Sequence, residues 1–172
     1  MSGIAILLEP QIPALRRYAF ALTRDHTLAD DLVQDTLERA ITRWMLRSVE
    51  GELRAWLFSI LHNLFIDGQR AQRRRPPHDT LDGVTDQAGT SATQEIELIS
   101  REMLARFGAL SHDHQAVLLL VGVEGLAYES VARVLGVPLG TVMSRLSRAR
   151  EQFRRLLDDE RAAVKPRLRS VK

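Results

Sequence analysis

Apolar residues return every three or four positions along almost the whole chain. No stretch sustains the every-second-residue alternation of a half-buried strand, so the sequence predicts an all-α protein. Ile12, Leu15, Ala19 and Leu22 mark a first helix. Thr27 is positioned to cap a second, with Asp30 three residues on as a weaker stand-in for the usual glutamate, and the pattern runs to about Trp44. A third helix spans about Leu53 to Arg74, with Leu53, Leu57, Ile60, Leu61 and Leu64 on one stripe and Trp56 and Phe65 elsewhere on its surface. A helix so apolar around its circumference has to be covered on more than one side, which places it inside a bundle. Pro76-Pro77 stops it, and His78 to Thr93, rich in Asp, Thr, Gly and Ser, reads as a linker. Helical spacing resumes at Ile96, Ile99, Met103 and Leu104. Ser111 is a cap for the next helix, whose run Ala116 to Val121 is continuous core material and which Gly125 ends. The expected organisation is two small helical domains, 1–75 and 94–172, joined by a flexible linker at 76–93.

The segment Tyr128 to Arg150 has the spacing of a helix-turn-helix. A short helix carries Val131, Ala132 and Leu135, a tight turn follows at Gly136, and a second helix is entered through Pro138 and runs from Leu139 to about Leu157. Proline in a first helical turn loses no hydrogen bond, and glycine tolerates the left-handed conformation that lets two helices cross sharply. On the second helix Val142, Leu146, Ala149, Phe153 and Leu156 form one buried face. Thr141, Ser144, Arg145, Arg148 and Gln152 fall on another, with donors suited to phosphates and base edges. Arg150, Arg154 and Arg155 also suit the helix dipole at a C-terminal half.

Charge sharpens this picture more than composition does. The formal net charge is only +2, but arginine carries nearly all of the positive charge, the only lysines being Lys165 and Lys172. Residues 1–75 hold 11 basic groups against 9 acids, residues 76–110 hold 2 against 6, and residues 111–172 hold 11 against 7. Two basic ends around an acidic middle fit two nucleic-acid-facing modules. The second predicted helix is the exception, because Asp31, Gln34, Asp35 and Glu38 share one face opposite Ala29, Leu32, Val33, Thr36 and Ala40. An acidic face repels phosphate, so it should turn to solvent or toward a basic protein partner. The absence of cysteine excludes disulfides and thiolate metal sites. His112 and His114, two residues apart, face different sides of a helix, and neither a nucleophile with a neighbouring base nor a glycine-rich phosphate loop is present. We therefore expect no enzyme, no cofactor and no bound metal. The apolar run Ile4 to Leu8 is too short for a signal-peptide core and no window reaches membrane-helix length, so a cytoplasmic location is expected.

The run Gly125 to Arg150 (GLAYESVARVLGVPLGTVMSRLSRAR) resembles region 4 of the extracytoplasmic-function (ECF) sigma factors of bacterial RNA polymerase. Independently, Asp30 to Ala40 (DDLVQDTLERA) resembles region 2.2. Leu53 to Asp67 (LRAWLFSILHNLFID), with its trailing arginines, resembles regions 2.3 and 2.4. The resemblance covers about residues 12–157 apart from the linker. It implies that Asp30, Asp31, Gln34, Asp35 and Glu38 dock on the β′ clamp helices of core RNA polymerase, with the β subunit a further contact. It also implies that Asn63, Arg70, Arg73, Arg74 and Arg75 face a melted minus-ten element, with Trp56 and Phe58 as candidate aromatics, although Trp56 fits core packing better. Thr141, Ser144, Arg145, Arg148 and Arg150 would read the minus-thirty-five element in the major groove. Met143 departs from the pattern, standing where the family often has lysine or arginine. Implied partners are core polymerase, promoter DNA and an anti-sigma factor, without membrane insertion. Two other readings stay open: a sigma-like decoy that sequesters an anti-sigma factor without reading DNA, and a conventional repressor or activator. The first two-domain reading carries the expectation of weak DNA binding by the free chain and selective binding in the holoenzyme.

Overall fold

A computed structural model describes residues 2–46, 52–74 and 102–164. The proposed linker 76–93, Arg75, Ile96, Ile99 and both lysines lie outside the described residues. Every regular element among those residues is helical. In chain order they are α1 (Ser2–Leu8), α2 (Ile12–Thr23), α3 (His26–Thr42), α4 (Leu53–Arg74), α5 over 102–108, α6 (His112–Leu118), α7 (Tyr128–Leu135) and α8 (Leu139–Val164).

The first half is a bundle in which α2 packs on α3 and α3 on α4. The stripe read from the sequence is inside it: Leu15, Ala19 and Leu22 of α2 and Leu57, Ile60 and Leu61 of α4 are buried, with Leu53 and Leu64 half-buried. Each such aliphatic side chain taken from water contributes about 1.5–3 kcal/mol. Two local expectations need correction. The cap of α3 is Asp25, whose carboxylate accepts the Leu28 N–H at 2.9 Å, rather than Thr27, which lies within the helix. The reason is that Arg24 already adopts a left-handed conformation (φ 57°), ending α2, so the chain can restart two residues earlier. α1 was not foreseen, since Ile4 to Leu8 is too short to show a period, and α8 runs seven residues past Leu157.

In the second half α6 and α7 both pack on α8, burying Ala116, Val117, Leu120, Val131, Val134, Val142, Leu146 and Ala149. Ser111 caps α6 as expected, accepting the His114 N–H at 3.4 Å. Gly136 at φ 64° makes the turn that lets α7 and α8 cross. After α6 the chain widens into a π-helical turn, Leu119–Val123, in which Glu124 N–H donates to Leu119 C=O at 2.9 Å. Gly125 at φ 66° then turns the chain out of the helix.

The two halves touch. α4 is apolar on more than one side, as its sequence requires, but its second side is covered by α7 of the second half rather than by another helix of the first. Arg54, Phe58, His62 and Phe65, at i, i+4, i+8 and i+11, line the side that meets it.

Candidate nucleic-acid interface

α3 presents its acidic face to solvent: Asp30, Asp31, Gln34, Asp35 and Glu38 are all exposed, while Ala29, Val33, Thr36 and Ala40 are buried behind them. Asp30 pairs with Arg16 of α2 at 2.6 Å, with both side chains more than half exposed, and Gln34 Nε2 donates to Glu38 at 3.1 Å. Asp31 and Asp35 have no ion pair among the described residues. The acidic face continues into the exposed apolar residues Ile41 and Met45.

At the far end of α4, Asn63, Arg70, Arg73 and Arg74 are exposed. Arg70 and Asp67 lie 3.7 Å apart, an exposed pair of little energetic weight. The candidate aromatics separate. Phe58 is fully buried, with its ring edge-on to Tyr18 at 5.2 Å, so it is core and offers no base a stacking surface. Trp56 is half-buried and meets Trp44 edge-on at 6.3 Å.

On α8 the donor face is mostly open. Ser144, Arg148 and Arg150 are exposed, Thr141 is half-buried, and Ser144 Oγ donates to Thr141 C=O at 3.1 Å. Arg145 behaves differently: its guanidinium turns back to Asp113 of α6 at 2.9 Å and its side chain is 27% exposed. A helical-wheel reading cannot see this, because Asp113 comes from another element 32 positions earlier in the sequence. Gln152 of the same face shares a 3.0 Å hydrogen bond with His114 Nδ1. Met143 is half exposed and, with Tyr128, Leu146 and Arg150, lines a surface groove of about 500 Å³.

Sequence reasoning missed Glu124. Its side chain is 1% exposed and sits between the halves. Arg17 Nε and Nη2 donate to its two carboxylate oxygens at 2.8 Å each, and Arg54 Nη2 donates to Oε2 at 2.7 Å and to the Glu124 C=O at 3.2 Å. The bond to the carboxylate holds the Arg17 pKa above its ordinary value, against the opposing effect of desolvation. The arginines come from α2 and α4 and lie 107 and 70 positions away, so no local signal could have indicated them. Beside this cluster Arg54 also lies over the Phe58 ring at 5.6 Å. His62, buried and hydrogen-bonded to the Tyr18 hydroxyl at 3.1 Å, has its pKa pulled down to about 4. Desolvation is the main cause; Asp113 opposes it and Arg145 adds to it. His112 meets Phe65 edge-on at 5.2 Å, and Ser130 Oγ donates to Glu52 Oε2 at 3.3 Å. Thus His112, which the sequence left as a capping or surface residue, is part of the contact between halves. Among the described residues no group of His, Asp and Glu could hold a metal ion. No described helix is long and apolar enough to cross a membrane.

Comparison with known proteins is consistent at both ends of the chain. The pattern described as "Sigma-70, region 4" matches residues 100–153, and that described as "Sigma2 domain of PhyR" matches residues 8–62. The chain is 39% identical over 151 residues to the ECF RNA polymerase sigma factor EcfG of Rhodopseudomonas palustris, covering 85% of this chain and 80% of that protein. It is 36% identical over 162 residues to the ECF RNA polymerase sigma factor SigL of Mycobacterium tuberculosis, covering 89% and 88%. Among solved structures it resembles the sigma factor RpoE of Bartonella quintana, determined in complex with the anti-sigma factor NepR. That match has a TM-score of 0.75 and 31% identity, and covers 92% of this chain and 98% of that one.

Proposed function

The chain belongs to the ECF sigma factors of bacterial RNA polymerase, and on that premise we propose how its surfaces divide the work of transcription initiation. Residues 1–75 act as the region 2 domain and 94–172 as the region 4 domain, with 76–93 between them. The acidic face of α3 binds the β′ clamp of core polymerase through Asp30, Asp31, Gln34, Asp35 and Glu38. The observation that carries this assignment is an exposed carboxylate row, with Asp31 and Asp35 unpaired, on a protein whose other surfaces are basic. Such a row attracts a basic protein surface and repels DNA.

Asn63, Arg70, Arg73, Arg74 and Arg75 follow the melted minus-ten strand, and Thr141, Ser144, Arg145, Arg148 and Arg150 read the minus-thirty-five element. Arg148 and Arg150 are open to do so at once, whereas Arg145 first has to leave Asp113. The chemistry of initiation stays with the polymerase. This protein contributes binding, position and strand capture. The decoy reading is disfavoured by relatives named as ECF sigma factors across most of the chain and by the open arginine face of α8. An anti-sigma factor as partner is supported by the complex in which the Bartonella relative was solved, and a cytoplasmic site of action follows from the polymerase partner.

The test is the pair of charge reversals Asp31→Lys and Asp35→Lys. Together they are expected to abolish binding to purified core polymerase while leaving circular dichroism and the melting curve as in the wild type, since both side chains are exposed. Wild-type affinity in that variant would remove α3 from the interface.

A further inference from the structure

We infer that the packing of the second half onto α4 is a self-inhibited state, latched by the Glu124 carboxylate between Arg17 and Arg54, and that initiation requires this latch to open. The inference rests on the functional reading above and adds to it a regulatory contact within the chain itself.

The latch is built rather than incidental. A π-helical turn followed by a left-handed glycine aims Glu124 away from its own helix, and such π-turns often mark functional positions. The carboxylate accepts three charge-assisted hydrogen bonds from two arginines of the other half. At 1% exposure it would be a costly buried charge without them. The arginines are 51% and 32% exposed and keep water access when the contact breaks, so the dependence is one-sided: Glu124 needs the arginines more than they need Glu124.

The closed state is incompatible with reading a promoter. Elements centred near positions minus-thirty-five and minus-ten are about 25 base pairs apart, or about 85 Å at 3.4 Å per base pair. The longest helix, α8, has 26 residues and therefore spans about 39 Å at 1.5 Å per residue. With α7 seated on α4 and Ser130 bonded to Glu52, the helix-turn-helix sits beside the helix that would hold the minus-ten strand. One compact body cannot place both readers on their elements. Opening also uncovers the Arg54, Phe58, His62, Phe65 side of α4. A protein whose competent state is a minor fraction binds its partners weaker by that fraction, so weakening the latch strengthens binding.

The test uses the full chain. It contains no cysteine, so Ala5→Cys in α1 and Asp158→Cys in α8, both exposed, take a donor and an acceptor dye for energy transfer. Glu124→Gln keeps the size of the side chain and removes its charge. It is expected to lower the transfer efficiency and to tighten binding to purified core polymerase by roughly tenfold. Arg17→Gln with Arg54→Gln should do the same, and adding Glu124→Gln to that pair should change nothing further, because the interaction is already gone. If Glu124→Gln does not fold, the arginine pair decides, since its side chains are partly exposed. Unchanged transfer in a folded variant would overturn the latch. Lower transfer without tighter polymerase binding would show that closure does not inhibit, and would overturn the inference equally. Absence of polymerase binding in every form, wild type included, would instead defeat the functional reading, with the transfer measurement still deciding the latch.

Discussion

Acidification should loosen this protein through His62. In the folded chain the imidazole is buried where α4 meets the second half, hydrogen-bonded to Tyr18, and its pKa is about 4; in the unfolded chain it returns to the ordinary 6.5. The unfolded state therefore binds the proton first, and stability falls as pH drops below 6.5. The loss continues until the folded pKa is reached. Over the full window the shift of 6.5 to about 4 corresponds to about 3 kcal/mol, and between pH 8 and pH 5 the linkage relation gives about 2 kcal/mol. His62→Gln keeps a partner for the Tyr18 hydroxyl and cannot titrate, so it isolates the effect from carboxylates titrating over the same range. Urea unfolding of both proteins at pH 8 and pH 5 provides the measurement. The wild type should lose about 2 kcal/mol more than the variant across that interval. Equal losses in the two proteins would mean that His62 is hydrated or paired in the folded state, and the account of the buried Tyr18–His62 pair would fail.

Other expectations follow from single side chains. Phe58→Ala removes a fully buried ring stacked edge-on against Tyr18 and should cost about 3–5 kcal/mol by the same urea assay; a cost under 1 kcal/mol would return Phe58 to the list of surface aromatics. Arg148→Ala should reduce the slope of holoenzyme–promoter affinity against salt by about 0.9, as for one lost phosphate contact. A change confined to one base of the minus-thirty-five element would instead make it a base reader.

Much of the architecture was legible because it is local. α4 and α7 match the bounds read from apolar spacing and from the Pro and Gly residues around them, and the Gly136 turn follows from its left-handed conformation. Ser111 caps where a short polar side chain precedes a helical run. Asp25 was passed over for Thr27 because both residue types cap helices, and the choice depended on where α2 ends, which Arg24 decides by turning left-handed. Within the candidate surfaces, exposure of the acidic row on α3 and of Arg148 and Arg150 on α8 follows from the wheel positions of their buried neighbours. Phe58 did not follow, since the same wheel cannot say which neighbour covers a second apolar side.

The sequence by itself determined the helices, their capping residues, the helix-turn-helix, the sign of charge on each face and the family. All of these depend on residues within a few turns of one another, where the 3.6-residue period fixes relative direction. Tertiary structure alone decided what lies across the second side of α4, why Arg145 turns to Asp113, and why a glutamate before an ordinary-looking glycine matters. Glu124 meets Arg17 across 107 positions. Such a contact is specified by the packing of whole helices and the desolvation of one carboxylate, neither of which leaves a periodic trace in the chain.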